Sequence, residues 1–270
     1  MQDLRLALRA LRTAPGVTLI AIVSLALGIG ANAAIFSIVD VLLLRPLPVR
    51  DPDSLVHLST SASVTYEPNF SYSTFDQIRR ANLFDGALAF SNCCGTSLLT
   101  IGTASQPVER RFLSGDYFST LGVTAVVGRM FTPDDDRPQG GPDGTAAVIS
   151  YRLWQRQFNG AMNVIGFHVT LDRAPLTIVG VMPREFFGTE VGRHFDLAVP
   201  VAREPVVLAS IPFDEHIPWL NLMFRLKPGQ SVAAATAALR SFQPYIRSVD
   251  HPDESRRRVS SGAVHARADA

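Results

Sequence analysis

Cysteine is nearly missing from this 270-residue sequence: there are two, Cys93 and Cys94, side by side. Adjacent cysteines seldom close the strained ring that a disulfide between them needs, and no Cys-x-x-Cys or histidine spacing accompanies them. That argues against a disulfide framework and a zinc centre, and it leaves the compartment open. The six histidines (His57, His168, His194, His216, His251 and His265) are scattered, without the H-x-x-x-H or H-E-x-x-H spacing that holds a metal. No G-x-S-x-G elbow is present, and no G-x-x-x-x-G-K-[ST] run. A serine hydrolase therefore has no nucleophile signal, and ATP hydrolysis through a P-loop has no cradle for the phosphates. Asp134-Asp135-Asp136 lacks the alternate spacing and glycine of a calcium loop and reads as a helix start or loop. No catalytic, cofactor-binding or metal-binding residue is expected, and the chain is not expected to be an enzyme.

Charge of one sign is also lacking. Twenty-five basic residues stand against 24 acidic ones, a net charge of +1, which gives no reason to propose nucleic acid as a partner. Arg256-Arg257-Arg258 lies in a polar stretch, DHPDESRRRVSSGAVHARADA, that reads as a disordered tail over 251–270 rather than as a binding patch.

Against this background one stretch stands out. Val17 to Leu44, VTLIAIVSLALGIGANAAIFSIVDVLLL, carries a single charged side chain, Asp40. About 20 apolar residues rising ~1.5 Å each cross a hydrocarbon core, so this run spans a bilayer even when tilted. It lacks the polar face of a soluble amphipathic helix. Gly28, Gly30, Ala31, Ala33 and Ala34 form a small-residue patch that lets another helix approach closely, and they are the expected helix-packing residues; the alternative is a surface that meets only lipid. Arg5, Arg9 and Arg12 precede the run and, with Leu4, Leu8 and Leu11, predict a short amphipathic helix over 1–16. Those arginines are expected at the membrane interface, with the N-terminus cytoplasmic; the plainer alternative is a charged flank. Ala31-Asn32-Ala33 offers a signal-peptide cleavage site, yet the apolar run continues to Leu44 and cleavage would leave a hydrophobic stub. Both readings put the rest of the chain outside the cytoplasm.

RPLPVRDPD (45–53) breaks the helix with three prolines. Beyond it, short alternating stretches predict strands at 55–59, 87–90, 97–101, 108–113, 123–127, 146–149, 167–171, 176–181, 195–200 and 221–226. Ser73-Thr74-Phe75-Asp76 resembles a capping box opening a helix to about Asn82. Further helices are predicted after Asp116, at Thr132-Pro133, after Ser150 (YRLWQRQF) and from Ser231 to about Arg247. Asp172-Arg173-Ala174-Pro175 reads as a hairpin turn. Strands and helices mix without regular alternation, so the fold class is α+β: one N-terminal transmembrane helix followed by a mixed α+β extracytoplasmic domain over 45–250, in one or two lobes.

The order of several segments carries a resemblance. DLRLALRALRTAPGVTLIAIVSLALGIGANAAIFSIVDVLLLRPLP, FSYSTFDQIR, VERRFLSGDYFSTLGVTAVVGRMFTPDDD, AAVISYRLWQRQF, IGFHVTLDRAPLTIVGVMP and LMFRLKPGQSVAAATAAL together resemble the MacB/FtsX-type ABC transporter permeases and their periplasmic core domain. The resemblance implies an inner-membrane permease subunit whose first span anchors the extracytoplasmic core. It implies as partners membrane lipid, other permease spans or subunits, and a separate ATP-binding subunit whose motion drives export or acts on envelope proteins. Members of that family continue into further spans, so a truncated or split product is expected. The alternative is a membrane-anchored extracytoplasmic binding module without transport activity.

Overall fold

The computed structural model describes residues 15–39, 49–60, 70–91, 95–190, 192–208, 217–250 and 264–267. Arg5, Arg9, Arg12, Arg45, Cys93, Cys94 and Arg256 to Arg258 lie outside the described residues. The chain divides into two compact units, Met1–Pro46 and Leu47–Ala270.

In the first unit a 25-residue helix, α1 (Pro15–Val39), opens on a proline. At the first helical position the missing N–H of proline costs nothing and its fixed φ suits the helix. At ~1.5 Å per residue α1 is about 37 Å long, and its stretch Thr18–Phe36 has the length and composition to cross a membrane. Apolar side chains face outward all round it: Ile20, Leu25, Leu27 and Phe36 are each 65–75% exposed. Water would penalise that surface, so it fits a helix surrounded by lipid or by further helices.

In the second unit one hydrogen-bonded sheet contains two kinds of arrangement. Its open part runs β11 (Val264–Arg267), β1 (Leu55–Thr60), β10 (Leu220–Arg225), β2 (Gly86–Ser91), all antiparallel. β2 then meets β4 (Ala104–Leu113) through the single pair Phe90–Leu113. From β4 a ring begins. β4 pairs with β3 (Gly95–Ile101), β3 with β7 (His168–Leu171), β7 with β8 (Ala174–Val181), β8 with β6 (Ala146–Ile149) and β6 with β9 (Leu197–Pro200). β9 returns to pair in parallel with β4, so six strands close on themselves and leave no edge among them. The two-residue β5 (Val127–Gly128) adds to β8. An open sheet and a closed ring thus meet at β4 within one compact unit, and one core cluster runs through both.

Alternation along the strands sorts the core. On β6, Ala147 and Ile149 join Leu99, Phe112, Leu176, Ile178 and Val199, while Ala146 and Val148 join Phe118, Phe131, Val179 and Ala198. A strand buried on both faces reads as a continuous apolar run, as AAVI does. In the open sheet, Val56, Leu58, Leu222 and Phe224 pack with Phe75 and Ile78 of α2 (Tyr72–Arg80) and with Ala235 and Leu239 of α6 (Val232–Asp250). The other face places Leu55, Leu88 and Met223 with Tyr117, Phe118 and Leu121 of α3 (Tyr117–Leu121). α4 (Tyr151–Phe158) is capped as the sequence predicts, the Leu153 amide donating to Ser150 Oγ at 3.1 Å. α5 (Glu204–Val207) is a single turn after β9.

Several expectations shift. The cap of α2 is Ser71, whose Oγ accepts from the Thr74 amide at 3.0 Å; Ser73 and Thr74 are instead buried inside the first turn. The strand expected over 123–127 shrinks to Val127–Gly128, because Val123 is already used in closing α3, its amide donating to Phe118 O. No helix starts at Thr132; Asp135 folds back onto the Thr132 amide and hydroxyl and makes a turn. The hairpin turn is two residues, Asp172 and Arg173, with φ of 47° and 81°, the conformation that matches strand twist. Of the stretch expected to be an irregular tail, Val264–Arg267 forms β11 on the edge of β1.

Candidate functional site

The five residues predicted to pack helices sit on α1, all exposed. At about 100° per residue, Gly30, Ala33 and Ala34 share one side while Gly28 and Ala31 lie further round. The small residues therefore make a broad face rather than a narrow seam. A Cβ added at Gly28 or Gly30 would meet nothing within 4 Å.

In the folded unit the buried charges act as stitches between segments far apart in sequence. Arg225 ends β10 and is 3% exposed. Its Nε donates to Thr120 O at 2.9 Å, Nη1 to Asp51 O at 3.0 Å and to Ser54 Oγ, and Nη2 to Arg50 O at 2.6 Å. Backbone bonds add to this clamp: the Arg50 amide donates to Leu121 O and the Leu226 amide to Ser54 O, both at 2.8 Å. Gly122, at φ 73°, has to be glycine here, since a Cβ would lie 2.6 Å from that of Arg50. Residues 50–54, soon after the apolar helix in sequence, are thus fixed to a central strand and to α3.

Asp134, Asp135 and Asp136 each take a protein partner. Asp134 pairs with Arg137 at the surface. Asp135 is fully buried and receives Arg129 bidentately at 2.7 and 2.9 Å, while Arg129 also reaches Asp143 at 2.6 Å. Burial pushes the Asp135 carboxyl up, but the hydrogen bonds of Arg129 and Thr132 outweigh it and hold the carboxyl below its usual range. Asp136 accepts from the Ala202 amide at 2.8 Å and the Gly115 amide at 3.1 Å. Among the described residues no cation pairs with it, and burial pushes its pKa up to about 6. Arg111, 1% exposed, reaches Glu190 and the Ser91 carbonyl and lies 4.7 Å over the Phe90 ring. Beside it Tyr117 donates to Thr189 Oγ1 at 3.5 Å, and burial pushes its hydroxyl up to about 12.

Two of the clefts among the described residues of this unit bear on what it can bind. One of about 370 Å³ lies between the 50–54 segment, the end of α2, the start of β2 and α3, and is rimmed by charged side chains. The other, about 310 Å³, is a mostly apolar groove on the ring between Gly128, Ile165 and Val179. Neither gathers a nucleophile with a base. Among the described residues no group of three or more His, Cys, Asp or Glu converges for a metal. The arrangement is suited to holding segments and presenting surfaces. Reading the sequence missed Arg225; its one signal is an arginine closing the apolar strand LNLMF, where a strand end meets solvent more often than another segment.

The family model of the MacB-like periplasmic core domain matches residues 18–242. No curated protein matches. Solved structures share the fold at low identity. The periplasmic region of MacB from Actinobacillus actinomycetemcomitans is 14% identical with a TM-score of 0.54, covering 79% of this chain and 87% of that one. The extracellular domain of the noncanonic ABC-type transporter YknZ from Gram-positive bacteria is 12% identical at 0.52, covering 78% and 98%. A permease-protein domain from Porphyromonas gingivalis is 18% identical at 0.55, covering 81% and 90%.

Replacing Arg225 with Met keeps bulk and deletes the clamp. R225M is expected to lose about 2–4 kcal/mol in urea denaturation and to speed hydrogen exchange at the Arg50 and Leu226 amides; unchanged exchange there would show the clamp to be incidental. For Asp136 the folded pKa, about 6, lies above the ordinary 3.8. Its stabilising contribution is therefore complete below about 3.8 and lost as pH rises through about 6. Between pH 7 and pH 4 the wild type is expected to gain up to about 3 kcal/mol relative to D136N, read from urea midpoints. Parallel profiles for the two proteins would contradict the burial of an ionisable carboxyl.

Proposed function

This chain belongs to the MacB-like periplasmic core domain family, and on that premise we propose that it is a permease subunit of an ABC-type export or mechanotransmission system. In this reading α1 is a span in the inner membrane, the N-terminus is cytoplasmic and residues after about 45 are extracytoplasmic. The domain carries out no chemistry of its own. It is moved by a separate ATP-binding subunit acting through other permease spans, which pack on the Gly28, Gly30, Ala31, Ala33 and Ala34 face.

Arg225 is the observation that carries this reading. Transmission of motion needs a joint that does not yield, and one buried guanidinium holds the segment 50–54 by three hydrogen bonds and Thr120 of α3 by a fourth. Charge-assisted bonds are about twice as strong as neutral ones, so this joint is stiff for its size. The apolar groove beside Ile165, with Val126, Met162 and Phe167 exposed nearby in sequence, favours a second reading: a membrane-anchored binding module without transport activity.

Topology is tested with a C93S/C94S chain carrying S119C, an exposed position on α3. A membrane-impermeant maleimide is expected to label it on intact spheroplasts; labelling only after lysis would sink the proposal. Helix packing is tested with G28L/G30L. Partner spans are expected to co-purify at least about tenfold less with this variant, a loss of ~1.4 kcal/mol in association; undiminished co-purification would favour the simple anchor.

A further inference from the structure

Three arginines border the 370 Å³ cleft, and their charges are unequally met. Arg79 is neutralised by Asp76 at 2.6 Å and Asp116 at 3.3 Å. Arg225 has only carbonyl and hydroxyl oxygens around it, and among the described residues no carboxylate pairs with it. Burial lowers its hold on the proton, the Arg50 cation adds to that effect, and Asp51 and Asp85 oppose it. A guanidinium has five N–H groups, and four are used among the described residues, which leaves one Nη2 hydrogen on a buried side chain that lines the cleft. Arg50, exposed and on the same wall, adds a second cation. On the lining three arginines stand against two acids, Asp85 and Asp116, and Arg79 is also met by Asp76 behind it, so Arg50 and Arg225 are the lining cations that no carboxylate pairs with among the described residues.

A buried cation is costly unless an anion meets it, and arginine forks match the oxygens of phosphate better than those of smaller ions. The cleft has ample room for such a group. We propose that this cleft binds a phosphate group, from free phosphate or from a phospholipid headgroup, between Arg50 and Arg225. Asp85 and Asp116 on the walls then set a limit: one phosphate is welcome, a dense polyanion is repelled. Because Arg50 and Arg225 also meet through the Arg50 carbonyl, occupancy tightens the clamp on residues 50–54.

The test uses the full chain in nanodiscs, followed by thermal unfolding. In neutral phosphatidylcholine discs, inorganic phosphate is expected to raise the midpoint beyond sodium chloride of equal ionic strength. R50E, which reverses one side chain but keeps the clamped carbonyl, is expected to weaken the apparent affinity about tenfold. R184E, at an exposed site away from the cleft lining, is expected to match the wild type. S119F, which fills the cleft without changing charge, should reproduce the R50E loss. In discs containing phosphatidylglycerol, a midpoint already raised and unresponsive to phosphate identifies the headgroup as the source; a response as in neutral discs identifies free phosphate. If neither moves the wild type, or if R50E and S119F respond as the wild type does, the proposal is wrong.

Discussion

Every backbone N–H and C=O taken out of water has to find a partner, and in this fold that demand falls hardest on β4. One side of its early residues pairs with β3, its last four residues pair with β9, and only Leu113 meets β2. Where the ladder thins, side chains replace it. Ser91 Oγ accepts from the Phe112 amide at 3.2 Å, Ser114 Oγ from the Ala89 amide at 3.0 Å, and Asp196 Oδ2 from the Glu109 amide at 3.2 Å. Arg111 covers the Ser91 carbonyl from the same strand. A buried unsatisfied group costs about 1–3 kcal/mol, so these polar side chains lower the cost of joining the open sheet to the ring.

The charged stitches follow the same logic at longer range. Arg225, Arg111 and Asp136 each meet backbone groups where an element ends or begins, Thr120 O late in α3, Ser91 O at the end of β2 and the Ala202 amide just after β9, beyond the reach of the regular ladder. Two solutions differ in cost. Asp135 is met by a full cation and stays ionised with ease, whereas Asp136 relies on two amides and is left with a raised pKa. Neighbouring carboxylates in one short run thus acquire opposite tendencies from their surroundings alone.

Local signals were easy to read and distant ones were not. The apolar run of α1, the Ser150 cap, the buried AAVI strand and the Asp172-Arg173 turn all declare themselves within a few residues, because period, capping and turn chemistry are local. The closing of six strands into a ring was not legible: it depends on β9 choosing β4, and nothing in LAVP names its neighbour. Ser71 displaced Ser73 as a cap because the bridge between Phe70 and Leu220 fixes where the chain turns into α2. Arg225 and Asp136 escaped for a related reason. Their partners are mostly backbone atoms, which carry no residue identity to read.

Ring closure also has a consequence in time. Arg110 of β4 lies against Leu197 of β9, and the chain between them supplies three of the other strands of the ring, β6, β7 and β8. Contacts between residues so far apart in sequence are formed late, since the loop entropy must be met before the pairing rewards it. During synthesis the β3–β4 hairpin can form early, but the outer side of β4 stays open until Leu197–Pro200 arrives. For that interval the chain carries an exposed strand edge that the finished fold conceals, and its vulnerability to mispairing is set by how quickly β9 follows.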